Sequence, residues 1–526
     1  MTEAEALEEN LLHRFNVGDL LHRSACRHPE AAALRFERQD VTYRDLDALA
    51  ARMGQALRRA GLGPGDVVAV LGLNSPEFVA LWFGASAIGA ALLPLNALLR
   101  GPELVQAIGR AQARALMVDA SLWPLMAGDA ASLGAVELCW FLGPDAPLPP
   151  GFRRVEEVLA SEPPEWPAVA VPSDAMATLL FTSGTEAQPK GVVSTHLNWH
   201  AALLSAVADL EIGRRQRPLL ALPLFHVAGL YVLLATLATG ATGVLLRRIE
   251  PRALLRAIQE EGVTYLVLPA TAYLGLLALP DLDPRDFTRL QHGIVFQYLP
   301  GSAMARLGQL APQVEWVGYW GQSELTPLGA STRGQEVFSR RARPDPIGAA
   351  HLPLELQVVD ADGRPAARGE VGELVARGPA VMAGYFQDPA RTAEAFRGGW
   401  HHTGDLAAQD PDGFLYFVDR VKDIIKTGGE NVSSQEVEEV MARHPAVGQV
   451  SVIGVPDAYW VEAVVAVVVR SEAGERVEAG ELLAHCRREL AAFKVPKRIY
   501  FAEALPKSPA GKVLKRELQA LYGGAS

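Results

Sequence analysis

Short apolar runs alternate with longer helical patterns through most of this chain. Runs of about four to eight apolar residues are typical of strands buried on both faces of a sheet. Such runs fall at residues 67–71, 115–118, 177–181 and 264–268, and a helical pattern occupies residues 75–89. Strands that alternate with helices predict an α/β fold with mainly parallel sheets covered by helices.

The pattern changes after about residue 413. A predicted strand at 413–418 is followed by a polar, charged segment at 419–431. Beyond that segment the sequence predicts a helix from residue 434, strands at 449–455 and 463–469, and a helix at 479–490. These elements suffice for a separate, small α+β domain of about 100 residues.

One apolar stretch, residues 227–246, contains no charged side chain and is long enough to raise the question of a membrane span. It also contains three glycines and three threonines, which are typical of turns and helix ends. We therefore interpret it as a buried helix, a Thr-Gly turn and a buried strand, and we predict no membrane span.

Composition narrows the class of protein. With 526 residues, 49% of them hydrophobic, the chain is large enough for two or more packed domains. The net charge of -11 argues against non-specific nucleic-acid binding, so no nucleic-acid partner is predicted. The cysteines, Cys26, Cys139 and Cys486, have no metal-site or disulfide spacing. Together with an acidic N-terminus without a signal-peptide pattern, this predicts a cytoplasmic protein.

The first candidate for chemistry is the loop TSGTEAQPKG at residues 182–191, which follows the predicted strand at 177–181. Glycine lets backbone N–H groups approach a polyphosphate, and hydroxyl groups donate further hydrogen bonds. Thr182, Ser183, Gly184, Thr185 and Lys190 are therefore candidate phosphate-binding residues. The order of residues differs from a Walker A loop, and an ordinary surface turn is the alternative.

Six further motifs follow this loop. They are PLFH at 223–226, WGQSE at 320–324, HTGD at 402–405, DRVKD at 419–423, GGEN at 428–431 and PAGK at 509–512. Together with the loop, and in this order, they resemble the adenylate-forming superfamily of acyl-CoA synthetases, luciferases and nonribosomal-peptide adenylation domains. The resemblance spans essentially the whole chain.

The resemblance implies a large N-terminal adenylation domain, residues 1–418, with mainly parallel sheets and a small β subdomain. It further implies a hinge at 419–423, with Lys422 at the pivot, and a small, mobile α+β C-terminal domain at 424–526. The molecule is expected to be a monomer or a homodimer.

The implied reaction starts with attack of a carboxylate on the α-phosphate of ATP, with Mg²⁺ bridging the phosphates. Two anions must meet, so catalysis depends on positioning and on positive charge where negative charge develops. The activated acyl group then passes to a second substrate, for which the GGEN segment and a full C-terminal domain favour a thiol, with CoA as the co-substrate.

The resemblance assigns roles to individual residues. Glu324 is the metal carboxylate and Ser323 a phosphate contact. Trp320 takes the place of the aromatic residue that stacks on adenine. Asp405 and Arg420 take the ribose-binding positions.

Two further positions complete the implied site. Lys512 is the catalytic lysine that reaches the α-phosphate and acyl oxygens during adenylation. His226 is a candidate for the acyl site, with a buried core histidine as the alternative.

The chain departs from the family pattern in two places. Glu186 and Ala187 replace a Thr-Gly pair in the phosphate loop. The small residues that form the acyl-pocket wall in the family correspond here to Gln297, Tyr298 and Leu299 before Pro300, and to Tyr319. Because packed interiors have little spare volume, these larger side chains predict a narrow pocket and a small acid.

Four functions remain compatible with the sequence. The leading one is an acid–thiol ligase that forms an acyl-CoA. The others are acyl transfer to the thiol of a separate carrier protein, diazotase-like activation of nitrite for attack by an aromatic amine, and a catalytically silent homologue. The presence of Lys190, Glu324, Asp405 and Lys512 argues against the last.

Overall fold

A computed structural model describes most of the chain. The described residues are 3–99, 101–134, 136–143, 145–182, 189–296, 299, 301–334, 345–420, 423–427, 430–457, 460–471, 474, 476–490, 492–507 and 512–523.

The strands are named here in chain order. They are β1 (Ala32–Phe36), β2 (Gln39–Thr42), β3 (Val67–Leu71), β4 (Ala91–Pro94), β5 (Ala115–Asp119), β6 (Leu138–Leu142), β7 (Arg153–Arg154), β8 (Met176–Thr182), β9 (Lys190–Thr195), β10 (Pro218–Leu220), β11 (Gly243–Leu245), β12 (Tyr265–Pro269), β13 (His292–Phe296), β14 (Glu315–Gly321), β15 (Gly329–Arg333), β16 (Asp345–Ala350), β17 (Glu355–Val359), β18 (Val371–Arg377), β19 (Gly384–Tyr385), β20 (His401–Gln409), β21 (Leu415–Arg420), β22 (Ile425–Thr427), β23 (Glu430–Val432), β24 (Val447–Asp457), β25 (Val461–Arg470) and β26 (Arg498–Phe501).

The helices are named in the same way. They are α1 (Glu3–His13), α2 (Val17–Arg27), α3 (Tyr43–Arg59), α4 (Pro76–Ala87), α5 (Gly101–Arg110), α6 (Val155–Ala160), α7 (His196–Ala208), α8 (Val227–Ala238), α9 (Pro251–Glu260), α10 (Ala270–Leu277), α11 (Gly301–Leu310), α12 (Pro389–Ala395), α13 (Ser434–Ala442), α14 (Ala479–Glu489) and α15 (Lys515–Tyr522).

Two large sheets organise the N-terminal part of the described chain. One has the order β19-β9-β8-β4-β3-β5-β6-β7, and it is parallel from β8 to β7. The other has the order β17-β18-β20-β21-β16-β15-β14-β13-β12-β10-β11-β1-β2, and it is parallel from β14 to β1. The predicted parallel α/β architecture is therefore confirmed for these two regions.

From β14 to β17 the second sheet is antiparallel. This antiparallel region corresponds to the small β subdomain that the resemblance implied. It brings β14, β20 and β21, which carry three of the sequence motifs, into one sheet. The chain thus places motifs that are far apart in sequence next to one another.

The main core lies between the two large sheets and contains α4, which is buried on every face. Trp82 of α4 contacts Trp199 of α7, with ring centroids 5.2 Å apart. A Cβ atom at Gly84 would lie 2.4 Å from the carbonyl oxygen of Ala50, so only glycine permits the close approach of α3 and α4. The apolar stretch at 227–246 forms α8, a turn and β11, as predicted. Among the described residues, no helix is long and apolar enough to cross a membrane.

The C-terminal part contains a separate sheet with the order β23-β22-β25-β24 and with β26 beside β25. Helices α13 and α14 share one small core with this sheet, and α15 packs on a second. The boundary at residues 418–424 stays a prediction. The structure places β21 in the large antiparallel region and β22 in the C-terminal sheet.

A buried carboxylate joins the end of β21 to the start of α13. Asp419, at the end of β21, is 3% exposed and accepts hydrogen bonds from the hydroxyls of Ser433 (2.9 Å) and Ser434 (3.0 Å). It also accepts one from the backbone N–H of Gln435 at 3.3 Å, in the first turn of α13. A carboxylate in this position stabilises a helix N-terminus.

We therefore predict that Asp419→Ala lowers the free energy of unfolding by about 1–3 kcal/mol, because the donors at the start of α13 lose a buried acceptor. Chemical denaturation followed by fluorescence measures this change. Asp412→Ala, at an exposed position in the turn before β21, is the control and should be close to neutral. Equal stability of the two variants would contradict the bridging role.

Candidate active site

One cavity of about 1100 Å³ lies where the antiparallel region, the β8–β9 edge and the C-terminal domain meet. The predicted nucleotide-site residues that are described line it together: Thr182, Lys190, Trp320, Ser323, Glu324, Asp405, Arg420 and Lys512. Four separate motifs, far apart in sequence, therefore converge with the edge of the phosphate loop on one space.

Asp405 on β20 is the most constrained polar group of this cavity. It is 3% exposed. Its Oδ2 accepts hydrogen bonds from Trp320 Nε1 and Gln322 Nε2, each at 3.0 Å, and its Oδ1 lies 3.5 Å from Arg420 Nε. Burial raises the pKa of Asp405, and the charge of Arg420 opposes that shift most strongly. The carboxylate is thus held ready to accept hydrogen bonds in a nearly dry site.

A second carboxylate, Glu373 on β18, braces the start of β20, the strand that carries Asp405. Its Oε2 lies 2.7 Å from His402 Nδ1, and its Oε1 accepts the backbone N–H of Gly404 at 3.2 Å. Glu373 and Gln322 escaped the sequence analysis. The position of Gln322 inside the WGQSE motif was a usable signal, whereas Glu373 lies in no motif.

Glu324, the predicted metal carboxylate, lies on the cavity wall. Its Oε1 accepts a hydrogen bond from the hydroxyl of Tyr385 at 3.2 Å. The ring of Tyr385 also lies 5.4 Å from Lys190 Nζ, close enough for a cation–π contact. Tyr385 therefore links the predicted metal carboxylate to the predicted phosphate lysine, a role that the sequence did not reveal.

Lys512 brings a positive charge from the C-terminal domain into this cavity. Burial, followed by the charge of Lys512, lowers the pKa of His226 to about 4. His226 is thus a neutral imidazole at physiological pH. It lies at the N-terminus of α8, beside Val227 and Ala228, which line the cavity wall.

One part of the cavity wall is apolar. Leu299 and Tyr319, both predicted wall residues, line it and are buried, 3% and 7% exposed. The ring of Tyr319 meets that of Phe296 edge-on, with centroids 5.3 Å apart. Leu299 and Tyr319 therefore contribute side-chain volume to this part of the cavity wall, and the narrow acyl pocket stays a prediction.

Several predicted residues lie outside the described part of the chain. They are Ser183, Gly184, Thr185, Glu186 and Ala187 of the phosphate loop, Gln297, Tyr298 and Pro300 of the wall, the pivot Lys422, and Gly428 and Gly429. The two ends of the phosphate loop are described, since Thr182 pairs with Lys190 across β8 and β9.

The cavity therefore combines two carboxylates with different surroundings, the buried Asp405 and the wall residue Glu324, which suits a hard cation. It also contains Lys190, Lys512 and an apolar part of the wall. Such a site can hold a nucleotide and an organic acid side by side.

Comparison with known proteins agrees with this geometry. Residues 21–386 match the family model of the AMP-binding enzymes, and residues 436–512 match that of the AMP-binding enzyme C-terminal domain. A feruloyl-CoA synthase from Amycolatopsis is 36% identical over 505 residues, covering 95% of this chain and 98% of the relative. A long-chain-fatty-acid–CoA ligase from Mycobacterium tuberculosis is 31% identical over 512 residues, covering 96% and 98%.

Solved structures show the same architecture. The o-succinylbenzoate CoA synthetase from Bacillus subtilis, in complex with its acyl-adenylate intermediate, has a TM-score of 0.82 at 28% identity and covers 95% of this chain and 97% of its own. ATP-bound MatB from Rhodopseudomonas palustris has a TM-score of 0.86 at 28% identity, with 97% and 99% coverage. The chain therefore belongs to the AMP-binding enzymes, the adenylate-forming superfamily of acyl-CoA synthetases that its motifs indicated.

Proposed function

We propose that this protein activates a small carboxylic acid with ATP as an acyl-adenylate and transfers the acyl group to the thiol of CoA. Pyrophosphate leaves in the first step and AMP in the second. The observation that carries the proposal is the convergence of Asp405, Arg420 and Lys512 on a cavity whose other end is apolar. The relatives named as CoA ligases support the thiol acceptor.

In the first step, Asp405 accepts hydrogen bonds from the ribose hydroxyls, with Arg420 beside it. Trp320 and Gln322 hold the Asp405 carboxylate in place through their N–H groups. The nucleotide is thereby oriented so that its α-phosphate faces the acid. Holding both reactants in one geometry removes much of the entropic cost of their meeting.

Positive charge then offsets the repulsion between the substrate carboxylate and the phosphates of ATP. Lys512 lies where negative charge develops on the α-phosphate and acyl oxygens, and Lys190 lies at the polyphosphate end. A preorganised cation in a partly dry site stabilises that developing charge. His226, neutral at physiological pH, adds no charge of its own.

Glu324 fits a magnesium ion because a carboxylate oxygen is the ligand type that Mg²⁺ takes from proteins. Tyr385 donates a hydrogen bond to Oε1, which restrains the carboxylate that would hold the ion. When bound with ATP, Mg²⁺ would neutralise charge on the phosphates. Ser323, in the same short turn, would contact a phosphate oxygen.

The second step needs a route for the thiol to the acyl carbon. In the described arrangement Lys512 occupies the cavity next to Asp405. The C-terminal domain must therefore move about the hinge at 419–423 before the thiol attacks. We propose Lys422 as the pivot, and Gly428 and Gly429 as part of the surface presented to the thiol.

The acid is small because Leu299 and Tyr319 fill the wall of the acyl end. A methylene forced into filled space costs free energy rather than gaining it. Two alternatives remain. In one, the acceptor is the thiol of a carrier protein. In the other, the enzyme activates nitrite for attack by an aromatic amine. We place the enzyme in the cytoplasm, as a monomer or a homodimer.

A pyrophosphate-release screen tests the proposal. It covers short, long and aromatic acids and nitrite, each with Mg-ATP and with or without CoA. We expect AMP and pyrophosphate as nucleotide products, an acyl-CoA in the presence of CoA, and weak activity beyond roughly eight carbons because added methylenes meet filled space. ADP as the main product would contradict adenylation.

Asp405→Asn should raise the KM for ATP about tenfold or more, because a neutral amide replaces the charged acceptor of the ribose hydroxyls. Initial rates at varied ATP concentration, with a saturating acid, measure the change. Asp174→Asn, at an exposed position, is the control. An unchanged KM for ATP would place the ribose elsewhere.

Lys512→Ala should slow adenylate formation about a hundredfold or more, because a cation is lost from the developing charge. Thiol transfer that starts from the synthetic acyl-adenylate should be affected much less. Lys507→Ala, an exposed lysine near the same loop, should leave both half-reactions intact. Equal losses in the two half-reactions of Lys512→Ala would mean that Lys512 has a structural role.

Lys422→Pro should leave adenylation largely intact but greatly slow acyl transfer, because proline fixes φ near about −65° and restricts the hinge. Pyrophosphate exchange and product formation are measured separately on one preparation. Wild-type rates in both assays would place the pivot elsewhere, and loss of both would show damage to the fold rather than a hinge effect.

A further inference from the structure

A second lysine lies close to Lys512 in the cavity wall. Lys515 is the first residue of α15, and it lines the same cavity as Lys512. Its Nζ lies 2.9 Å from Oε1 of Glu438 and donates a hydrogen bond to Oγ of Ser434 at 2.5 Å, and both of these residues belong to α13. The ammonium group of Lys515 is therefore engaged by α13, which suits an anchor within the protein better than a contact with substrate.

The carboxylate of this ion pair is held from a second side. Oε1 of Glu438 also accepts a hydrogen bond from the backbone N–H of Val452 on β24 at 2.7 Å. The side chains of Lys515 and Glu438 are only 19% and 23% exposed. Burial raises the pKa of Glu438, and the charge of Lys515 opposes that shift most strongly. An ion pair that is shielded from water and has fixed partners resists displacement, so it holds the start of α15 against α13 and β24.

The same contacts reach the proposed hinge. Ser434 accepts a hydrogen bond from Lys515 and donates one to Oδ2 of Asp419 at 3.0 Å. Burial disfavours the charged form of Lys515, but the charges of Glu438 and Asp419 outweigh burial and raise its pKa. Asp419 precedes the proposed pivot, Lys422, whereas Ser434 follows it. A rotation about the pivot would separate Asp419 from Ser434, so the full set of contacts belongs to the described arrangement of the two domains.

The position of Lys512 depends on how the ends of its segment are held. The backbone N–H of Leu514 donates to the carbonyl of Pro506 at 2.9 Å, which brings the two ends of the segment together. The contacts of Lys515 then fix the C-terminal end of the segment to α13. Displacement of a catalytic group by about 1 Å can slow a reaction roughly a hundredfold. A side chain as long as that of Lys512 therefore needs a fixed base to reach one defined point.

We infer that Lys515 is a positioning residue for adenylate formation. Its contacts with Glu438 and Ser434 hold the segment that carries Lys512 in the arrangement used for the first half-reaction, and thiol transfer does not require them. The inference rests on the proposed function, because it takes Lys512 as the cation of adenylate formation. If the ion pair only stabilised the C-terminal domain, its loss would affect both half-reactions equally.

Lys515→Met tests the inference, because it removes the charge and keeps a side chain of similar length. Pyrophosphate release is measured with acetate, butanoate, benzoate and cinnamate, and the acid that the wild-type enzyme uses fastest is carried forward with its synthetic acyl-adenylate. We expect the maximal single-turnover rate of pyrophosphate release to fall about tenfold or more, because Lys512 is displaced. The ATP concentration that gives half of this rate, and the rate of acyl transfer from the acyl-adenylate to CoA, should stay at their wild-type values. Lys515→Arg keeps the charge and should restore most of the lost rate.

Two further variants separate positioning from stability. Lys515→Met leaves the carboxylate of Glu438 without its partner, which destabilises the fold by itself. Combining it with Glu438→Gln removes both charges and keeps an oxygen for the N–H of Val452, so stability should recover while adenylate formation stays slow. Lys494→Met is the matched control, because Lys494 pairs with Glu436 of the same helix at 2.8 Å and with similar exposure, 26% and 28%. Neither of these two described residues lines the cavity, so the control should form the adenylate at the wild-type rate.

A double-mutant cycle shows whether Lys515 acts through Lys512. Lys512→Ala already lacks the amine that Lys515 is inferred to position. Adding Lys515→Met to Lys512→Ala should therefore slow adenylate formation no further, whereas independent roles would give losses that multiply.

The outcomes separate the two proposals. Slow adenylate formation with intact thiol transfer, rescue by Lys515→Arg and no further loss in the Lys512→Ala background support the inference. Equal losses in the two half-reactions, a wild-type rate of adenylate formation, or losses that multiply in the cycle overturn it and leave the proposed function standing. Where Lys515→Met fails to fold, its combination with Glu438→Gln decides by the same criteria. Absence of pyrophosphate release by the wild-type enzyme with all of these acids would instead overturn the proposed function, and the inference with it.

Discussion

The burial of one carboxylate constrains the whole active site. Asp405 is 3% exposed, and an ionised carboxylate in such a place must be paired and hydrogen-bonded to persist. Its partners come from other segments: Trp320 and Gln322 from β14 and its end, and Arg420 from the end of β21. The antiparallel region holds these segments side by side. A change in register there would separate the acceptor from its donors, so the sheet and the nucleotide site depend on each other.

The same region sets the position of the C-terminal domain. Arg420 contacts Asp405, while its neighbour Asp419 accepts hydrogen bonds from Ser433 and Ser434 at the start of α13. One strand end therefore touches both the nucleotide site and the second domain. This arrangement explains how a lysine more than a hundred residues from Asp405 in sequence, Lys512, is brought to the same cavity. It also means that the domain cannot move for acyl transfer without breaking or carrying along the contacts of Asp419.

The strands of the parallel sheets and the motif residues of the site could be predicted from the sequence. The features that could not be predicted arise from contacts between segments far apart in the chain. Strands such as β3 and β5 are continuous apolar runs, and Glu324 and Asp405 lie in motifs that occur along the chain in the same order as in the family. Glu373 could not be predicted, because its role arises only where β18 pairs with β20. The antiparallel pairing after β14 likewise depends on contacts between distant segments, which local periodicity does not contain.

The central claim is that the acid attacks the α-phosphate of ATP, and the path of an oxygen atom tests it directly. The enzyme is incubated with an acid whose carboxylate is labelled with ¹⁸O, together with Mg-ATP and CoA. The nucleotide and phosphate products are then separated, and the ¹⁸O content of each is measured by mass spectrometry. Attack at the α-phosphate leaves a carboxylate oxygen in AMP when the thiol displaces the nucleotide, so the account predicts label in AMP and none in pyrophosphate. Label in inorganic phosphate, with unlabelled ADP as the nucleotide product, would show attack at the γ-phosphate and contradict it.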